Sequence, residues 1–225
     1  MKQLIYLVAA ALIVPQITVR SAQDQRGNGA RNEVVLERKV VGSEEHPVTT
    51  MDAFSKALVS ARLPGGIVGM GDCREELVMH RWAPKGSQLR IVLDMVTSDD
   101  PRYRWELIDG VINLLPSEEE PPLLRTRIKD FQVGGEPYVI HAVSQILSLP
   151  EVRQSVASLH LSGGFQRLQG VRSMGTQKRF NVHCQDVTLR QALNAIVRAQ
   201  GRAVWSYAER YCNGRRTFTL EVPVE

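Results

Sequence analysis

The chain has 225 residues, of which 43% are hydrophobic and 23% charged, with a formal net charge of +4. That length suits one large or two small domains. So small a charge excess, with no basic stripe, argues against a nucleic-acid partner.

The amino terminus carries Lys2, an apolar run from Leu4 to Val14, Pro15, and then the polar QITVRSAQDQ. This is the three-part layout of a secretory signal peptide, and the apolar run is too short to span a bilayer. Cleavage after Ser21 leaves Val19 and Ser21 at the small-residue positions, so 1–21 is expected to be a signal peptide. The mature protein is then exported, to a bacterial periplasm, with no stable membrane span after processing. A retained membrane anchor is the alternative reading. No cysteine follows the run to accept a lipid, and processing removes the charges of Lys2 and Arg20. Residues 22–46 are polar and read as a flexible leader, with an edge strand around Val34, Val35 and Leu36.

The first module is expected over 47–116. Met51, Phe54 and Leu58 share one face of a helix that starts after Thr49 or Thr50, with Thr50 as N-cap and Pro64-Gly65-Gly66 as the stop. Strands are expected at Ile67 to Met70 and at Leu77 to Trp82. Leu89, Val92, Leu93 and Val96 then form an apolar stripe on a helix capped by Ser87 and ended by Pro101. Asp109-Gly110 is a preferred type I′ pair, so the hairpin register places Ile108 opposite Val111, Leu107 opposite Ile112, Trp105 opposite Leu114 and Tyr103 opposite Pro116.

Residues 117–136 read as a charged linker, SEEEPP, followed by a connecting strand from Leu123 to Phe131. The second module spans 137–225. Ile140, Val143 and Leu147 mark its first helix, which ends before Pro150, and Ser158 to Leu161 suggests a strand. A long irregular loop follows. Phe180, Val182 and Cys184 alternate inward, Thr188 caps a helix bearing Leu189, Ala192, Leu193 and Ile196, and Gly201 ends it. An Asn213-Gly214 turn sets Tyr207 opposite Leu220 and Trp205 opposite Val222.

The second module echoes the first. Leu89, Arg90, Leu93 and Trp105 recur one hundred positions later as Leu189, Arg190, Leu193 and Trp205, without a gap. The expected fold class is therefore α+β: two small related modules, each with two helices on a short mixed sheet and a C-terminal hairpin.

Chemistry-bearing residues are sparse. The three cysteines are Cys73, Cys184 and Cys212, and an odd number in an oxidising compartment leaves at least one thiol unpaired within the monomer. Cys184 and Cys212 share a half and are the expected bridge, although the hairpin register carries Cys212 toward the turn. Cys73 has Arg74 beside it and is the candidate for a thiol-dependent enzyme, the other enzymatic reading being an unrecognised carboxylate pair; as a free or buried thiol it is small core. His183 beside Cys184 fits no zinc spacing, and neighbours on a strand point to opposite faces. The acidic run lacks the ligand spacing of a calcium loop. Gly163-Gly164 and Pro64-Gly65-Gly66 miss the phosphate-loop pattern and read as turns. Trp105 and Trp205 read as core anchors; exposed, they would favour a small-ligand binder. No catalytic, cofactor-binding or metal residue is assigned.

LVMHRWAPKGSQLRIVLDMV with YRWELIDGVINLLP, and FNVHCQDVTLRQALNAIVRAQGRAVWSY with FTLEV, resemble the short amino-terminal domain of secretins and TonB-dependent transducers. The resemblance implies small α+β modules, exported and used to bind other envelope proteins; here no pore or barrel region accompanies them. The resulting expectation is a non-catalytic scaffold that contacts an envelope protein without a cofactor. The contact is expected at a sheet edge or on the loop from Ser162 to Gln177, through Arg167 and Arg172.

Overall fold

The computed structural model describes residues 35–41, 47–73, 76–80, 86–165 and 179–222. The expected signal peptide, most of the leader, Trp82, Arg167 and Arg172 lie outside the described residues. Val35 and Leu36, expected on an edge strand, instead form a helical turn whose Leu36 is buried.

The fold is α+β. The first half runs β1 (Val48–Thr49), α1 (Thr50–Ala61), β2 (Gly65–Asp72), β3 (Met79–His80), α2 (Leu89–Asp99), β4 (Tyr103–Ile108) and β5 (Val111–Pro116). A 3-10 turn (Pro122–Arg125) buries Leu123 and Leu124 where a strand was expected. The second half runs β6 (Arg127–Glu136), α3 (Val139–Leu147), α4 (Pro150–Ser158), β7 (Leu161–Phe165), β8 (Phe180–Thr188), α5 (Leu189–Gln200), β9 (Val204–Cys212) and β10 (Arg215–Glu221). Pro150 both ends α3 and opens α4, a helix not expected from the sequence, because proline is favoured in a first helical turn.

Apart from α4, the two halves share one order of elements and one set of pairings. β1 pairs antiparallel with β3, and β6 pairs antiparallel with β8. In the main sheet the order is β4-β5-β2-β9-β10-β7. Each half supplies an antiparallel hairpin followed by a parallel strand, β4-β5-β2 and then β9-β10-β7. Because β2 and β9 are parallel at the joint, β9 runs opposite to β4. The second half therefore follows the first by a half-turn about an axis lying along the sheet, which turns the face as well as the strand direction.

Packing follows this symmetry. One core places α1 and α2 against Ile67, Ile112, Leu114 and Val204. The other, on the opposite face, gathers α3, α4, α5 and the β6-β8 ribbon against Val68, Val111, Leu115, Trp205 and Tyr207. The strand expected around Leu77 narrows to two residues, and the one expected over Ser158 to Leu161 begins only at Leu161.

Local chemistry accounts for most boundaries. α1 begins after Thr49, the first of the two expected starts, and Thr49 rather than Thr50 is the cap that accepts the Asp52 N–H. The N-cap of α2 is Gln88, one residue after the expected Ser87, and Gln88 makes no side-chain cap; the Ser87 carbonyl accepts the Val40 N–H. Thr188 and Gln191 form a complete capping box on α5, and Gly201 closes that helix at positive φ. Asp109-Gly110 and Asn213-Gly214 both have two consecutive positive φ values, as type I′ turns require. The expected pairs from Ile108–Val111 to Tyr103–Pro116, and Tyr207–Leu220, are those observed.

Two expectations are corrected at the joint. Gly65-Gly66 is strand rather than turn: a Cβ on Gly65 would meet Leu58 at 2.2 Å, and one on Gly66 would meet the Trp205 ring at 2.4 Å. The glycines let helix α1 and an indole approach the backbone. Gly163-Gly164 likewise lies within β7. The disulfide joins Cys73 to Cys212, not Cys184 to Cys212. Asp72 pairs with Tyr211, so the next residue on each strand brings the two sulfurs together, with Cα atoms 5.3 Å apart. Cys184 sits on β8 in the separate ribbon, buried among Phe180 and Val182.

Candidate functional site

The half-turn leaves one sheet face without a helix among the described residues. In the first half, the face opposite α1 and α2 is covered: Val111, Asn113 and Leu115 are buried beneath α5 and its neighbours. Its counterpart in the second half carries Ser206, Ala208 and Arg210 on β9, Thr217, Thr219 and Glu221 on β10, and Ser162 on β7. Alternation fixes this assignment, because Trp205, Tyr207, Phe218 and Leu220 all point into the opposite core.

A recess of about 520 Å³ lies where this face meets the first turn of α1. Ser206, Ala208 and Thr219 line one side, and Thr49, Asp52, Ser55 and Arg102 line the other. It continues past Arg210 and Glu221 into a second hollow of about 350 Å³ over Ala208 and Thr217. The result is a groove with small side chains along the sheet and charged ones at its margins. Arg210 is exposed and makes no ion pair among the described residues.

Thr50 and Asp100, which line the recess, belong to a buried polar cluster that ties three segments together. His80 Nε2 lies 2.9 Å from Thr50 Oγ1, and His80 Nδ1 lies 3.4 Å from the Asp99 carboxylate. This has the outline of a nucleophile, base and orienting acid. The proton inventory reads otherwise. The Thr50 hydroxyl donates its single proton to Asp100 Oδ2 at 2.6 Å, and a carboxylate only accepts. His80 Nε2–H must then donate to Thr50, which leaves no basic nitrogen facing the hydroxyl. Asp100 is 0% exposed, and Arg102 grips it with Nε at 2.6 Å and Nη2 at 2.7 Å. Burial alone would raise the Asp100 pKa, but the Arg102 and Thr50 hydrogen bonds and the Arg102 charge bring it below the ordinary carboxylate value. The cluster fastens the start of α1 to β3 and to the α2-β4 connection.

A second polar group is buried on the far side of the sheet. Glu209 accepts from the Tyr207 hydroxyl at 2.7 Å and from Arg216 Nε at 3.0 Å. Burial and the neighbouring Glu209 carboxylate push the Tyr207 pKa strongly upward. Tyr207 therefore stays a neutral donor that holds Glu209 in place.

Of the residues singled out in the sequence, the described structure brings together Cys73 and Cys212 alone. Cys73 is bonded to Cys212, which removes the thiol on which a Cys73 enzyme would depend. Burial raises the Cys184 thiol pKa, with the Arg198 charge opposing it. His183 pairs with Asp130 at 3.1 Å on the exposed side of the ribbon, away from Cys184. Trp205 is 0% exposed, as a core anchor should be, whereas Trp105 is only partly buried.

Both indoles are held in the same way. Trp105 Nε1 donates to Asp94 at 2.8 Å, and Trp205 Nε1 donates to Asn194 at 2.9 Å. Acceptor and tryptophan keep the same one-hundred-residue offset, a signal legible in the sequence once the repeat is aligned. Arg210 and Glu221 carried no comparable motif. No family model matches this chain, and no curated protein or solved structure matches it. Among the described residues no helix is long and apolar enough to cross a membrane.

Proposed function

We propose that this protein is an exported, non-catalytic binding scaffold of two related modules that contacts another protein of the cell envelope. The carrying observation is the second-half face: the first half has the same face covered by a helix, and here no helix among the described residues covers the groove of matching position. Small side chains along a sheet let a partner's backbone or helix come close, while Arg210 and Glu221 at its margins give the contact a polar rim. The resemblance to secretin and TonB-dependent transducer modules supports the same reading, as does a disulfide suited to an oxidising compartment. The proton arrangement at Thr50 and the bonded state of Cys73 both weigh against the nucleophilic alternatives. Arg167 and Arg172, the contact residues expected from the sequence, lie outside the described residues and are tested separately.

The test is capture from envelope extracts. Immobilised wild-type chain is expected to retain a partner that an Arg210→Glu variant, folded to the same melting temperature, does not. Equal retention by both would remove the groove from the account, and retention by neither would remove the binding reading. An Arg167→Ala/Arg172→Ala chain that retains the partner as the wild type does would exclude the loop.

A further inference from the structure

The joint between the halves is a complete docking interaction present within one chain. The β2 edge receives β9 in parallel, with Gly66 paired to Trp205. The indole of Trp205 lies where a Gly66 side chain would be, and it is fully buried there. α5 then crosses the first half's far face. Its Arg190 meets Glu106 at 3.0 Å and Glu120 at 2.6 Å, and Arg198 donates to the Asp109 carbonyl at 3.4 Å.

The two ends of the sheet hold the unused halves of that joint. β7 stands in the second half where β2 stands in the first, at the end of the sheet with no further strand among the described residues, and beside the open face. β4 stands where β9 stands, at the other edge. Hairpin alternation turns the N–H and C=O of Trp105 and Leu107 away from β5, as it turns those of Trp205 and Tyr207 toward β2. Trp105, Leu107 and Ile108 are only partly buried, and Ile91 on α2 is 57% exposed. Among the described residues no strand pairs with either end, as β2 and β9 pair at the joint.

We propose that this protein assembles head to tail with further copies of itself: the β4 edge and α2 of one copy dock on the β7 edge and open face of the next. This rests on the open face being a binding surface, and it names the occupant. A second half-turn restores the original orientation, so successive copies are related by translation with the sheet's twist. Such a contact is heterologous and does not close on itself.

One pair of residues fixes the geometry. Arg90 on α2 is the counterpart of Arg190, is exposed, and has no ion pair among the described residues. Arg190 reaches Glu106, which is paired across the hairpin with Asn113. The counterparts in the second half are Ser206 and its cross-strand neighbour Glu221. The carboxylate has moved one strand over on the same face, where Arg90 of a second copy meets it.

Sedimentation velocity of the purified full chain at rising concentration tests this. Wild type is expected to grow past the dimer, Arg90→Glu and Glu221→Arg each to stay monomeric where wild type associates, and an equal mixture of the two variants to associate again. Melting curves and circular dichroism establish that both variants are folded. A wild type that is monomeric throughout overturns the proposal, as does association of the single variants or failure of the mixture. If wild type is monomeric yet captures an envelope protein through Arg210, self-assembly fails and the binding reading stands.

Discussion

Removing the Cys73–Cys212 bridge should cost this protein more stability than any other single covalent change. The bonded residues are 139 positions apart, so the bridge closes a loop that embraces most of the described chain. Loop-closure entropy for that length gives about 5 kcal/mol. The bridge lies at the end of the β2-β9 pairing, so its loss also frees the joint between halves to fray. A Cys73→Ser/Cys212→Ser double variant, unfolded by denaturant beside oxidised and reduced wild type, isolates the term. The variant and reduced wild type should share one midpoint, well below that of the oxidised protein, and reductant should leave the variant unchanged. Unfolded, oxidised wild type should present one reactive thiol, that of Cys184. A Cys184–Cys212 peptide in a non-reducing digest, or a midpoint insensitive to reduction, would refute the reasoning.

Other perturbations separate the two halves. Asn194→Ala leaves the buried Trp205 N–H unpaired and should cost about 1–3 kcal/mol, whereas water replaces Asp94 at the half-exposed Trp105, so Asp94→Ala should cost less than about 1 kcal/mol in the same denaturant assay. Gly66→Ala drives a methyl into the Trp205 ring and should destabilise by about 1–3 kcal/mol, with a shift in tryptophan emission. The folded-state pKa of Asp100 lies below its unfolded value, so its contribution is present above the ordinary aspartate value of about 3.9 and is lost as pH falls through the folded value. Asp100→Asn should flatten the acid limb of the stability profile, measured by melting temperature against pH.

The local parts of the fold were legible because local chemistry sets them. Two type I′ turns carried the register of both hairpins, and the capping box at Thr188 with the glycine at 201 framed α5. The one-hundred-residue offset aligned Trp105 with Trp205 and Asp94 with Asn194, which make matching hydrogen bonds. The joint was hidden, because it depends on strands far apart in sequence, β2 with β9, whose parallel register no turn specifies. Gly65 and Gly66 read as a helix stop when their neighbours are counted along the chain. They read as strand once Leu58 and Trp205 are seen above and below them. The same ignorance misassigned the disulfide: Cys184 and Cys212 share a half, but Cys73 and Cys212 share a strand pair. The groove had no sequence signal of its own, since alternating serine, alanine and threonine on a sheet face is also how a solvated face is written.

Hydrogen exchange of the full chain, alone and with an envelope fraction that binds it, tests the central claim most directly. The account predicts added protection in peptides over 203–221 and 48–56, the strands and helix start that line the groove, with α3 and α4 unchanged. Protection confined to α3 and α4, or none anywhere with partner bound, would contradict it.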